Sequence, residues 1–273
     1  MGYFTSEKLN SRVTRITCPG NVYTFLVEGD HSAALIDTGF GVGSLKQYVD
    51  TLTKLPYIVI LTHGHLDHAG GAGEFEQVYL NRKDLQLAAE HTSLEIRASA
   101  VCKEEYGIDR TELVLPKSTE GYLPLEDGQS FDLGGVTVTM LALSGHTQGS
   151  MCMLVNELRT VLLGDACNSF GFLQLPESSS IAEYHDNLIA FQKNADKFDH
   201  VWYSHPHNFG GKEIIEDTIT LCEEILSGKR VGVPENEGNW TEETLLAKPK
   251  DEHDRPLDGS AANFLYKKVS AEQ

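Results

Sequence analysis

Several features that define other protein classes are missing from this 273-residue sequence. It has no apolar stretch near the roughly 18 residues that a membrane-spanning helix needs, and no charged-then-apolar segment at its start. We therefore expect neither a membrane span nor an export signal. The five cysteines are odd in number and form no C-x-x-C pair, which favours reduced thiols in a cytoplasmic protein over a disulfide framework.

Positive charge is also scarce. The chain has 22 Lys and Arg against 40 Asp and Glu, which gives a net charge of -18 and a pI of about 4.9. We find no cluster of basic residues that could release counterions from a phosphate backbone, so neither a nucleic acid nor an anionic membrane is an expected partner. A small-molecule substrate is the expected partner, and the sequence leaves homo-oligomerisation open.

The most informative segment is 63–68 (HGHLDH), which follows the apolar run 57–61 (YIVIL). With 11 His in the chain, the pattern H-x-H-x-D-H arises by chance on the order of 10⁻³ times. The apolar run predicts a buried strand that ends in a loop. Side chains two residues apart in an extended loop point the same way, so His63 and His65 can bind one metal ion. Asp67 and His68 diverge toward a second position.

Four further segments complete a recognisable order along the chain: 35–39 (LIDTG), 144–150 (SGHTQGS), 163–165 (LGD) and 203–205 (YSH). Together with 63–68 they resemble the motifs of the metallo-β-lactamase fold superfamily of metal-dependent hydrolases. The resemblance extends from about residue 22 to about residue 207. It implies a four-layer αββα sandwich of the α+β class with a helical insert, and we expect residues 1–273 to form one such domain.

The resemblance also implies a dinuclear centre of two divalent metal ions. Imidazoles combined with carboxylates suit zinc best, and iron or manganese also fit. The implied ligands are His63, His65 and His146 for the first ion, Asp67, His68 and His205 for the second, and Asp165 as a bridge. With three ligands on each ion and the shared Asp165, one shared position would remain for a hydroxide, as a catalytic rather than a structural site requires.

The expected reaction is hydrolysis by a hydroxide that the two ions share, with attack on a carbonyl or phosphoryl centre. Asp67 is the predicted catalytic residue, which orients the nucleophile or passes a proton to the leaving group. Asp37 is predicted to orient a loop or a ligand imidazole by hydrogen bonding, and the alternative is a turn-forming Asp before Gly39. We expect a small thioester, ester or lactone as the substrate.

Other functions remain open: hydrolysis of a β-lactam or phosphodiester, or an iron-dependent redox or sensor role on the same fold. The chain has His65 where di-iron redox relatives carry Glu, and it has Asp165, which β-lactamases of the family generally lack. It also reads Ser204-His205-Pro206-His207 where many relatives read G-H-G. Because Pro206 fixes the backbone, we expect His205 to be the ligand and His207 to face the pocket mouth or solvent.

The remaining pattern predicts secondary structure around these motifs. Three aromatic residues near the ligands, Phe170, Phe172 and Tyr203, are candidates for the substrate pocket, although core packing is the more frequent role of such residues. Strands are predicted within 13–37, 136–143, 151–155 and 161–163, and helices over 42–53, 82–105 (about two) and 213–226. A solvated connection is predicted over 228–259, and an edge strand over 263–269.

Overall fold

Residues 2–235 and 243–268 are described by the structure, which is a computed structural model. Helices in this part of the chain are α1 (Leu45–Leu52), α2 (Leu66–Ala69), α3 (Leu85–His91), α4 (Leu94–Val101), α5 (Ile181–Gln192) and α6 (Ile214–Leu226). The strands of the first half are β1 (Thr5–Lys8), β2 (Val13–Cys18), β3 (Val22–Glu28), β4 (Ala33–Ile36), β5 (Tyr57–Ile60), β6 (Val78–Leu80), β7 (Tyr122–Pro124) and β8 (Ser130–Asp132). The others are β9 (Thr137–Ala142), β10 (Met151–Val155), β11 (Thr160–Leu162), β12 (Gly171–Leu173), β13 (His200–Trp202), β14 (Val233–Pro234), β15 (Thr244–Leu246) and β16 (Phe264–Lys267).

These strands form two large sheets and a small one. The first large sheet has the order β1-β2-β3-β4-β5-β6-β7, and the second has the order β13-β11-β10-β9-β8. The four-stranded sheet has the order β12-β16-β15-β14. In the first sheet β4, β5, β6 and β7 are parallel, whereas β1 to β4 are antiparallel.

Three apolar cores lie between four layers. The inner core joins the two large sheets, where the Phe25 and Trp202 rings stack with centroids 5.6 Å apart. A second core packs Leu45 and Val49 of α1 against the first sheet, and a third packs α5 and α6 against the second sheet. Each large sheet thus has one face on the inner core and one face under helices, which is the predicted αββα sandwich.

The helices begin where the sequence supplies caps. Ser44 accepts a hydrogen bond from the backbone N–H of Gln47 at the start of α1. Before α5, Ser180 and Glu183 form a reciprocal capping box that satisfies two backbone donors. The predicted helical insert is present as α3 and α4. No helix among the described residues has both the length and the apolar character that crossing a bilayer requires.

The direction of the strands gathers the motifs at one edge. Strands β4 and β5 are parallel, so the segments that follow them, with Asp37 and residues 63–68, lie side by side. In the second sheet β9, β11 and β13 all run the same way, since β10 is antiparallel to β9 and β11. His146, Asp165 and His205 follow these three strands, and the candidate ligands of both sheets meet at this edge.

Three sequence-based expectations need correction. The stretch 263–269 does not form an edge strand: β16 lies between β12 and β15, and Phe264, Leu265 and Tyr266 are buried. Part of the solvated connection predicted over 228–259 is instead the buried strand β15. Residues 236–242 of that stretch, and residue 269 of the predicted edge strand, lie outside the described residues. Helix α1 begins only at Leu45, because Gly43 has a left-handed φ of 65° and Val42 bridges to Leu113.

Candidate metal centre

Three imidazoles of the first predicted ligand set converge on one point. His63 Nε2 lies 3.0 Å from His65 Nδ1, and His146 Nε2 lies 2.8 Å from the same atom. All three side chains are buried, with exposed fractions of 1%, 5% and 4%. Their ligand atoms lie within 4.8 Å of one another, so this group could hold a metal ion.

The outer nitrogens of these rings decide which tautomer each imidazole adopts. His146 Nδ1–H donates to the backbone carbonyl of Phe172 at 2.9 Å, and a carbonyl can only accept. The Thr62 hydroxyl donates to Asp37 and so accepts from His63 Nδ1–H at 3.0 Å. Burial lowers the pKa of His63 well below its ordinary value and that of His146 to about 4. Both rings are therefore neutral, and their inner nitrogens carry lone pairs.

The second group combines two carboxylates with two imidazoles. His68 Nε2 lies 3.4 Å from Asp67 Oδ2 and 3.3 Å from Asp165 Oδ2. His205 Nε2 lies 3.5 Å and 3.2 Å from the same two oxygens. The ligand atoms of these four residues again lie within 4.8 Å of one another.

Asp165 connects the two groups. Its Oδ2 atom, which faces His68 and His205, lies 3.9 Å from His146 Nε2 of the first group. Its other oxygen, Oδ1, is buried without a hydrogen-bond partner among the described residues. His68 Nε2 is also buried, and the two carboxylate oxygens at 3.3 and 3.4 Å lie outside hydrogen-bond geometry with it. A buried carboxylate oxygen and a buried imidazole nitrogen without partners are costly unless a cation satisfies them.

Asp37 holds the second group in place through the outer nitrogen of His68. Its carboxylate accepts from His68 Nδ1–H at 2.8 Å and from the backbone N–H of Thr62 at 2.7 Å. Asp37 has a left-handed φ of 64°, which Asp tolerates better than most residues and which often marks a functional site. Asp37 thus contacts both the loop before His63 and the His68 ring, which are the contacts expected of an orienting residue.

The donor set fits metal ions. The lone pairs of His63 Nε2 and His146 Nε2 both face His65 Nδ1, at 3.0 and 2.8 Å, and a single Nδ1–H could donate to only one of them. A cation between the three nitrogens would satisfy all of them, and the buried, unpartnered Asp165 Oδ1 atom points to the same need. Imidazole and carboxylate donors together suit zinc, iron or manganese. The chain therefore carries one group of three His and one group of two His and two Asp that could each hold a metal ion.

The two groups differ in how tightly they hold protons, which leads to a testable prediction. Burial disfavours a charged His68, but the negative charges of Asp67, Asp37 and Asp165 outweigh this effect and raise the pKa of His68 well above its ordinary value. In the same way, Asp165 outweighs burial and raises the pKa of His205. The pKa values of His63 and His146 are lowered instead. A cation must therefore displace protons from His68 and His205 at pH values where His63 and His146 are already neutral.

We therefore expect the ion of the second group to dissociate first when the pH is lowered. The check is the metal content of the protein after equilibration with a weak chelator over a series of pH values. Two separate losses are expected, and His205→Ala should remove the one at higher pH. A single loss that His205→Ala leaves unchanged would contradict the prediction.

The other predicted site residues lie around this centre. His207 is exposed and its ring stacks on His205 with centroids 5.5 Å apart. Phe170 is buried with Leu246 and Leu265, and Tyr203 packs against the core under α5 and α6. Phe172 contacts the centre through its backbone carbonyl. The substrate contacts of these four residues stay predictions.

Asp84 is a residue of the site that sequence reasoning missed. It is buried, and its carboxylate accepts from the backbone N–H groups of Gly64 at 3.0 Å and Gly149 at 2.7 Å and from the Thr147 hydroxyl at 2.6 Å. Gly149 permits this approach, because a Cβ there would lie 2.6 Å from the Asp84 carboxyl carbon. One carboxylate thus ties the loop of His63 and His65 to the loop of His146.

A family profile described as the metallo-beta-lactamase superfamily matches residues 19–189, which include most of the site. The chain belongs to this superfamily. Solved structures agree on the fold: a metallo-beta-lactamase from Pontibacter korlensis superposes with a TM-score of 0.59 at 19% identity, over 81% of this chain and 99% of that one.

Curated proteins with similar sequences include a thioesterase and a hydroxyacylglutathione hydrolase. The acyl-coenzyme A thioesterase MBLAC2 of Bos taurus is 25% identical over 176 residues, which cover 59% of this chain and 63% of that protein. The hydroxyacylglutathione hydrolase GloC of Haemophilus influenzae is 26% identical over 163 residues, 58% of this chain and 71% of that protein. The chain thus spans less than two-thirds of the length of the thioesterase.

Proposed function

We propose that this superfamily member is a dinuclear metal-dependent hydrolase that acts on a small carbonyl substrate, preferably a thioester. The observation that carries the proposal is the pair of ligand groups joined by Asp165, whose Oδ2 atom lies 3.2 Å from His205, 3.3 Å from His68 and 3.9 Å from His146. Two divalent ions held there would acidify water and polarise a carbonyl group.

The side chains around this point have distinct tasks. Burial opposes the charge on Asp67, yet attraction to His68 outweighs it and lowers the pKa of Asp67 well below its ordinary value. Asp67 is therefore a carboxylate at neutral pH, able to accept a hydrogen bond from the attacking water and to take up its proton. Asp37 and Asp84 keep the ligand loops in place, so the site needs little rearrangement on binding.

Two observations support a thioester as the substrate class. The chain is strongly acidic and has no basic cluster, which disfavours large polyanions. One relative is named a thioesterase and another a hydroxyacylglutathione hydrolase. A thiolate is also a good leaving group, so a site with one proton-transferring carboxylate is sufficient for the reaction.

The test combines metal analysis with turnover. We expect about two metal ions per chain after reconstitution, because seven ligands form two sets. The zinc, iron and manganese forms are assayed with an acyl thioester, the matching oxygen ester, a lactone, a cephalosporin and a phosphodiester. The thioester should have the highest kcat/KM, and Asp165→Ala should lower both the metal content and the turnover.

Three outcomes would contradict the proposal in different ways. One ion per chain, with Asp165→Ala leaving content and activity intact, removes the dinuclear centre. If a cephalosporin or a phosphodiester has a higher kcat/KM than every ester, the proposed substrate class is wrong. A single tightly bound iron without hydrolytic turnover favours the redox or sensor role.

A further inference from the structure

Glu177 touches the first ligand group from a segment that the sequence motifs do not include. Its Oε1 atom lies 2.6 Å from His65 Nε2, and only 18% of its side chain is exposed. The two residues are 112 positions apart in the chain. Because His65 Nδ1 faces His63 and His146, Glu177 binds the ring at its outer nitrogen.

The segment that carries Glu177 also holds His146. The Phe172 carbonyl accepts from His146 Nδ1–H at 2.9 Å, and the Ser178 hydroxyl donates to the His146 carbonyl at 2.9 Å. The Ser179 N–H donates to the Gly145 carbonyl at 2.8 Å. Residues on both sides of Glu177 are thus fixed to the His146 loop, so the backbone that carries Glu177 is held beside His65 by contacts other than the one with His65.

A carboxylate beside an imidazole imposes one arrangement of protons. Glu177 can only accept when ionised, so His65 Nε2 carries the hydrogen and Nδ1 keeps a lone pair toward the other two inner nitrogens. A negative acceptor on the outer nitrogen also makes the inner nitrogen a stronger donor to a cation. We propose that Glu177 is a positioning residue of the first ligand group, which fixes the orientation and tautomer of His65 and raises the affinity of that group for its metal ion.

A third metal ion is the competing explanation of the same cluster. Ligand atoms of His65, His91 and Glu177 lie within 4.8 Å of one another. However, the His91 ring stacks on the His65 ring, with centroids 4.9 Å apart and planes 20° from parallel. The lone pairs of the two stacked rings lie in nearly parallel planes and so are poorly placed to converge on one ion. His65 Nε2 could also bind an ion only after losing its hydrogen. The geometry therefore favours a hydrogen bond.

The inference rests on the proposed metal centre, and zinc titration tests both. Metal-free wild-type protein, Glu177→Gln, Glu177→Ala and the matched surface control Glu95→Gln are titrated with Zn²⁺ against a chromophoric chelator. The binding step that His146→Ala abolishes is assigned to the first group. We expect Glu177→Ala to weaken this step about 10- to 100-fold, and Glu177→Gln to weaken it less because an amide oxygen still accepts. Neither Glu177 variant should change the affinity of the other binding step or the Tm of the metal-free protein. Glu95→Gln should bind zinc as the wild-type protein does.

The alternative results are distinguishable. A wild-type protein that binds no zinc overturns the proposed function together with this inference. Two normal steps in wild type that Glu177→Ala leaves unchanged overturn the inference alone. Loss of a third equivalent in both Glu177→Ala and His91→Ala identifies a third ion. An equal weakening of both steps with a lower Tm of the metal-free protein shows that Glu177 only stabilises the loop.

Discussion

Replacement of Asp67 by Asn is expected to lower the turnover of the best substrate by about 10² or more, the usual effect of losing a positioned acid-base group. Asp67 Oδ2 lies 3.4 Å from His68 Nε2 and 3.5 Å from His205 Nε2, so it faces the point where the second group converges. The amide keeps the size of the side chain but can neither take up a proton nor match the charge of the two imidazoles. The measurement is kcat at saturating metal, with the metal content of each sample determined in parallel.

The leaving group separates the two roles that Asp67 can have. A thiol has a pKa near 8.5, so a thiolate leaves readily, whereas an alkoxide needs a proton. If Asp67 passes a proton to the leaving group, Asp67→Asn should slow an oxygen ester more than the thioester with the same acyl group. If Asp67 only orients the nucleophile, both substrates should slow by the same factor.

A matched control is available on α5. Asp186→Asn removes the same charge from a side chain that is 85% exposed and outside the site, and it should leave kcat unchanged. If Asp67→Asn retains full turnover with normal metal content, Asp67 does not take part in the chemistry.

The sequence-predicted ligands lie together in the structure, because each of them follows a local signal in the sequence. Residues 63–68 follow the apolar strand β5, and the segments with His146 and Asp165 follow β9 and β11. Strands β5 and β9, of 4 and 6 residues, have an apolar pattern long enough to identify, and β11, of only 3 residues, is marked by the LGD segment that follows it. The layer order then follows from the resemblance of the motifs, and it agrees with the structure.

The parts that the sequence did not predict depend on contacts between distant residues. Asp84 binds Gly149 across 65 positions, and Glu177 binds His65 across 112. Neither acidic residue differs in its local sequence from the many acidic residues of this chain. The small sheet was missed for a similar reason: β15 has only three residues, and its burial depends on pairing with β16. A polar flanking sequence hides such a strand.

The second mutation expected to have a large effect on turnover lies in the loop after β13, which carries His205 and His207. His205 follows β13, and its Nε2 atom lies 3.2 Å from Asp165 Oδ2 and 3.5 Å from Asp67 Oδ2. His207 is exposed, and it is not among the clustered ligand atoms of the described residues. Pro206 separates the two, and the His207 ring stacks on His205 from outside. The geometry favours His205 over His207 as the ligand, and the position of His207 at the mouth of the site stays a prediction.

We therefore expect His205→Ala to lose the ion of the second group and at least 10² of the turnover, the same range as loss of an acid-base residue. His207→Ala should keep both ions and change mainly KM, because it removes an exposed ring that stacks on His205 and is not among the clustered ligands. The two variants alter the same loop, so each controls for the effect of the other on folding. The metal content of the two variants, measured side by side, decides between them. If His207→Ala loses the ion and His205→Ala retains it, His207 is the ligand, because removal of the residue that donates its nitrogen to the ion abolishes binding.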